Sequence, residues 1–222
     1  MAVSPSDTSW AIGSIYHRAV TERWWPRARV ISGVGVRVSL CSAVAHELGA
    51  LPGVALGVGP LAAAAAATRF LLETRPEAVV FVGSAGAYPS GPQVGSVVVS
   101  GALGLASTAV ALGLGYQPQA PAVLSSDDGL IAASALPFAR VLTVSAITTD
   151  AALMARFAPE WEVEHMEAYA VAFACAEAGV PFAAILGIAN RVGPGAHAEW
   201  LRNHAAVEAS ARGSAEGMLC RL

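Results

Sequence analysis

The chain has no lysine: all thirteen of its basic residues are arginines. That absence excludes a phosphate-binding loop built on lysine and any Schiff-base chemistry on a lysine amine. Cysteine is scarce and odd in number, with Cys41, Cys175 and Cys220 far apart. Such spacing suits small buried hydrophobes in a reducing cytoplasm, not a disulfide framework or a zinc site. Charge is sparse as well. Only 13% of residues are charged against 55% hydrophobic, and the net charge of −3 presents no basic face to nucleic acid or to an anionic membrane. A 222-residue chain of this composition is expected to bury the core of one large domain.

No Asp, Glu, Lys or Arg occurs between Ala78 and Ser126, and Val97 to Tyr116 has the length of a bilayer span. Gly and Ser interrupt that stretch, and no basic cluster flanks it to set an orientation. It is read as the interior of a soluble sheet, without a membrane partner. Residues 1–36 differ from the rest. They carry Trp24, Trp25, Arg18, Arg23, Arg27 and Arg29 without periodicity, and show neither the apolar run nor the cleavage site of a signal peptide. An appended arm and a start site set too early are both open readings, and no chemistry is assigned there; the domain is expected over 37–222.

From there, elements alternate. "VRVSLCSAV", "VALGV", "AVVFVG", "VGSVVVSG", "ARVLTVSA" and "FAAILGIAN" read as strands. "PLAAAAAATRFLLE" reads as a helix with Pro60 in its first turn, "MEAYAVAFACAEAG" as one closed by Gly179, and "HAEWLRNHAAVEASARGSAEGML" as a last one. Short apolar strands interleaved with helices predict a single α/β domain with a largely buried sheet.

Three motifs fail on inspection. "GVGPLA" satisfies a dinucleotide fingerprint, but Glu77 stands before the next strand, not at its end, which leaves a tight turn packing an alanine-rich helix. His46 and Glu47 begin H-E-x-x-H, but Ala50 occupies the second histidine's place. "VGSAG" has Val82 where a nucleophile elbow needs glycine.

What remains is a set of polar residues at strand ends, where open α/β sheets bind ligands: Glu47, Ser84, Gly86, Glu167 and Asn190. Each has a plain reading alone. Glu47 suits a solvated helix face, Ser84 and Gly86 a turn, Asn190 a cap, and Glu167 a favourable charge at a helix N-terminus. Yet a carboxylate at the head of so apolar a helix is costly unless something uses it.

"VALGVGPLAAAAAATRFLLETRPEAVVFVGSAGAYPSGPQVGSVVVS" and "VEHMEAYAVAFACAEAGVPFAAILGIAN" resemble, in order and spacing, the two signatures of the purine nucleoside phosphorylase and nucleosidase superfamily. The resemblance spans roughly residues 38–210 and implies a mixed, partly barrel-like sheet flanked by helices. It also implies roles. Glu167 accepts from the ribose hydroxyls and Met166 packs on the sugar face. Ser84, Ala85 and Gly86 shape the sugar and water pocket, Glu47 activates water, and Asn190 stabilises the departing purine. Phe81 stands where bacterial phosphorylases carry an Arg, and a carboxylate at Glu47 repels phosphate, so hydrolysis is expected over phosphorolysis, with no metal or organic cofactor. "GIANRVG" is similar to the segment of futalosine hydrolases, which release hypoxanthine in menaquinone biosynthesis. An amide at Asn190 donates to a purine nitrogen or 6-oxo group but is no acid. Methylthioadenosine or S-adenosylhomocysteine hydrolysis, and nucleoside binding without turnover, are the alternatives. Leu186, Ala189 and Ser96 depart from the superfamily's Arg, Ser and Asp. His197 and Trp200 are left outside the core site. Members of this superfamily imply a homodimer or higher oligomer.

Overall fold

Valine- and isoleucine-rich runs give the strands of an eight-stranded sheet, and alanine-rich runs give the helices that cover it. The computed structural model describes residues 36–222; apart from Val36, the arm assigned to residues 1–36 lies outside the described residues. The first half runs β1 (Val38–Ser42), α1 (Ala45–Leu48), β2 (Gly53–Ala55), α2 (Pro60–Thr74), β3 (Ala78–Ala87), β4 (Val97–Leu105) and α3 (Thr108–Ala111). The second runs β5 (Leu124–Ser125), α4 (Asp128–Ser134), β6 (Phe138–Thr143), α5 (Ala151–Phe157), β7 (Val163–His165), α6 (Ala168–Glu177), β8 (Phe182–Arg191) and α7 (Ala196–Leu219).

Strand pairing closes a ring. β3 pairs antiparallel with β7, β7 parallel with β6, β6 parallel with β4, β4 antiparallel with β8, and β8 parallel with β3. β1 and β2 add to the first half of β3 as an open parallel wing. The expected mixed, partly barrel-like sheet flanked by helices is therefore what forms. β3 serves both parts, which is why it is longer than its apolar run suggests. Ser84 and Gly86, whose plain reading was a turn, are strand residues that, like Ala85 between them, pair with β8, and Gly86 pairs with β7 as well.

Alternate residues of β3 separate two cores. Val79, Phe81 and Ala85 face α2 and α6, while Val80 and Val82 face α7 with Ala211, Ala215 and Met218. Helix α6 is buried nearly all round, which explains its lack of a polar stripe. Helix α7 crosses β8 at Gly187, where an added Cβ would stand 2.5 Å from the Val207 carbonyl oxygen. Gly187→Ala is thus expected to push α7 off the sheet and to cost about 1–3 kcal/mol of overpacking strain, read as a lowered Tm. An unchanged Tm would show that the helix can slide.

The short elements escaped the sequence pattern: α3, β5, α4, α5 and β7. Two of them carried a readable signal. Asp127 caps α4 by accepting from the Leu130 amide at 3.0 Å, and Asp150 caps α5 through Leu153 at 2.8 Å. The uncharged stretch from Val97 is only partly interior, since β4 is buried but Leu114 and Tyr116 stand exposed. Among the described residues no helix is long and apolar enough to cross a membrane. The three cysteines are free; burial pushes the Cys41 thiol up and that of Cys175 to about 12, while Cys220 is exposed. One thiol is expected to react with a thiol reagent in the native protein and three after unfolding. Two or more fast-reacting native thiols would contradict this packing.

Candidate active site

Glu47 follows β1 in a helix of four residues, and its carboxylate turns back on its own loop. Oε2 accepts from the amides of Ala43 (3.1 Å) and Val44 (3.2 Å), while Oε1 accepts from the Ser84 amide at 3.1 Å. Arg212 of α7 pins this short helix by donating to the carbonyls of His46 and Glu47. With 5% of its surface exposed, Glu47 is not the solvated helix residue of its plain reading. Burial raises its pKa, against the opposing effects of His165 and the Ser84 and Val44 amides, and Glu208 adds to the rise.

Glu167 stands just ahead of α6, and its Oε1 accepts from the Gly59 amide at 2.7 Å. Gly59 has φ of 89°, a conformation open to glycine that turns its N–H inward at the start of α2. The "GVGP" turn thus does more than pack a helix; it holds a carboxylate. Burial also raises the pKa of Glu167, with the Gly59 and Met166 amides pulling it back.

Neither of these carboxylates caps α6. That role falls to His165, which sequence reasoning missed: its Nδ1 accepts from the amides of both Glu167 and Ala168 at 3.0 Å. An imidazole nitrogen that accepts two N–H groups carries no proton, so the ring is neutral with its hydrogen on Nε2. Burial drives its pKa down to about 4, although Glu47 alone would raise it. Glu167 Oε2 lies 3.3 Å from the same Nδ1, but a contact between two acceptors is not an ion pair.

β8 supplies Asn190. A bulge shifts its register against β3, so that Ala85 pairs with Ile188 but Gly86 with Asn190. This turns Asn190 toward the cleft, with Nδ2 donating to the Arg191 carbonyl at 2.9 Å. Helix α7 brings two further residues that the sequence left aside. Trp200 donates from Nε1 to Ser84 Oγ at 3.0 Å and stacks on His204 at 4.2 Å, and His197 stacks with the same indole at 6.0 Å. Behind them Glu208 is buried between the Nδ1 atoms of His46 and His204, at 3.0 and 3.1 Å. A carboxylate only accepts, so both rings donate, and the three groups satisfy one another.

These elements enclose a cleft of about 320 Å³. Glu47, Ser84, Ala85, Gly86, Met166, Glu167 and Asn190 all line it, as do His46, His165, His197 and Trp200. The structure therefore places all seven candidate site residues around one cleft. Leu186 and Ala189 are fully buried and present no polar group there.

A profile of the phosphorylase superfamily matches residues 30–222, and the chain belongs to that superfamily. It is 31% identical over 166 residues to a 5'-methylthioadenosine/S-adenosylhomocysteine nucleosidase of Marinomonas sp. (strain MWYL1), covering 66% of this chain and 71% of that one. In fold it is similar to the corresponding nucleosidase of Colwellia psychrerythraea 34H, solved with adenine, with a TM-score of 0.76 at 21% identity over 86% of this chain and 98% of the other. The futalosine hydrolase of Helicobacter pylori strain 26695 aligns with a TM-score of 0.73 at 14% identity, over 83% and 97% of the two chains. These relatives in sequence and in fold are nucleosidases.

Proposed function

We propose that this chain is a purine nucleosidase that hydrolyses the N-ribosidic bond without metal or organic cofactor, and that its substrate is futalosine, cleaved to hypoxanthine and dehypoxanthine futalosine. The observation that carries hydrolysis is the pairing of two buried carboxylates in one cleft, Glu47 and Glu167, beside a third, Glu164, that is taken by the Tyr88 hydroxyl and the Thr148 amide, with no arginine among the described residues that line it. A phosphate dianion needs cationic or amide donors, whereas here the amides of Ala43, Val44, Ser84 and Gly59 are already taken by carboxylates. Glu47 takes a proton from water, Glu167 accepts from the ribose hydroxyls and Met166 packs on the sugar. Ser84, Ala85 and Gly86 form the wall, and Asn190 stabilises the charge that develops on the purine.

An amide at Asn190 favours a 6-oxopurine, because its free N–H meets a carbonyl oxygen or ring nitrogen. The second reading, hydrolysis of methylthioadenosine or S-adenosylhomocysteine, is favoured by the relative from Marinomonas. The three free cysteines support a reducing cytoplasm, and the exposed Leu112, Leu114 and Tyr116 support a homodimer or higher oligomer.

Chromatography of free purine after incubation with futalosine, methylthioadenosine, S-adenosylhomocysteine and inosine, with and without phosphate, tests this. Hypoxanthine from futalosine without phosphate is the expected result. Adenine as the main product would establish the second reading, and a phosphate requirement would overturn hydrolysis.

A further inference from the structure

We propose that His165 holds the attacking water jointly with Glu47, donating from Nε2 to the water oxygen while the water donates to Glu47 Oε1. This rests on the hydrolase reading above and adds a residue to it.

The geometry centres on Gly83. A Cβ placed there would stand 3.1 Å from Glu47 Oε1 and 3.4 Å from His165 Nε2, with the Phe81 ring at 3.0 Å. The carboxylate and the imidazole therefore approach the same glycine, where a side chain would crowd both, and both line the cleft. Because Nδ1 is committed to two amides, Nε2 carries the hydrogen. Among the described residues no group accepts that hydrogen, although His165 lines the cleft and is only 5% exposed. Phe81 fixes the ring edge-on, at 5.1 Å and 84°. Leu186, which pairs with Gly83 on the neighbouring strand, brings no polar atom to this face. His165 is the donor that does.

The charge state suits the chemistry. As the C1′–N bond breaks, its electron pair leaves on the purine and positive charge builds on the sugar. The water oxygen then bonds C1′, and Glu47 takes the water's proton, which solvent returns to the purine nitrogen. A cation beside that sugar would oppose the transition state and weaken the base by pairing with it. A neutral imidazole orients the water without either penalty, and burial among Phe81 and the α6 amides keeps it neutral.

Two substitutions separate this role from helix capping. His165→Asn keeps a short acceptor for the Glu167 and Ala168 amides but does not reach Glu47. His165→Gln extends a donor toward Glu47 and caps poorly. Expected for Asn is a kcat lowered about 10²-fold, as for loss of one preorganised donor, with KM little changed. Gln should recover part of that kcat despite a lower Tm. Gly83→Ala, which leaves the cap untouched but presses on both Glu47 Oε1 and His165 Nε2, should lower kcat in the same way. Near-normal kcat in both Asn and Gly83→Ala, or Asn outperforming Gln, would overturn the inference while leaving the hydrolase reading intact. A wild-type protein that releases no purine from any of the four nucleosides would overturn the functional reading itself, and this inference with it.

Discussion

Glu47→Gln is expected to bind nucleoside with nearly unchanged affinity while losing about 10²–10⁴ in turnover, the range for removal of a positioned general base. The amide keeps the shape of the side chain. Its oxygen can still accept from the Ala43 and Val44 amides, which hold the loop that carries it, while its NH2 faces the Ser84 N–H and gives up that one bond. What it loses is a lone pair able to take a proton from water. Isothermal titration with a slowly cleaved nucleoside and single-turnover kinetics would separate the two effects. Turnover within a few-fold of wild type would remove Glu47 as the base. The pH profile follows from the same burial. Both Glu47 and Glu167 act ionised and both have raised pKa values, so kcat/KM should fall on acidification at a pH above the ordinary glutamate value of about 4.3. The sign for stability is opposite. A raised carboxylate contributes to folding below its unfolded pKa, and that contribution is lost as pH rises through the folded one, so the site is least favourable to fold where it works best.

Glu167→Ala should act on the substrate's sugar. One hydrogen bond to a charged acceptor contributes about 1.5–3 kcal/mol, so losing both ribose hydroxyl contacts should lower kcat/KM about 10²–10⁴-fold. The substitution also strips the Gly59 amide of its acceptor, adding a stability loss of about 1–3 kcal/mol that a melting curve would report. A 2′-deoxynucleoside provides the control: it should lose rate with wild-type protein, and the variant should cost it only the remaining 3′-hydroxyl contact, a smaller penalty than the ribonucleoside suffers. Equal penalties from the two changes, added in full, would show that Glu167 does not touch the 2′-hydroxyl.

The long elements were legible because each carries one unambiguous pattern. The alanine run of α2 behind Pro60 and the strand ending at Asn190 are examples. The site residues were legible through their motif context. What was not legible depends on pairings between distant segments. Closure of the ring needs β7, only three residues long, to sit between β3 and β6. Nothing local in "VEH" announces that. The neutral state of His165 depends on two amides that come into place only when α6 starts three residues later. Trp200 reaches Ser84 across 116 positions of sequence, because α7 folds back over β8 at Gly187. Spacing along the chain holds no trace of that contact.

The sheet's two outer strands, β2 and β5, are three and two residues long, and Pro52 directly precedes β2. Every strand between them has a neighbour on both sides, although β8 meets β4 only over Ile185–Gly187. A second copy arriving edge-on would find only these two short strands at the ends of the sheet, so the protein is poorly equipped for fibre growth or strand exchange. Concentrated preparations should accordingly resist β-type aggregation, and any assembly of subunits has to be written in side chains on the helices and loops.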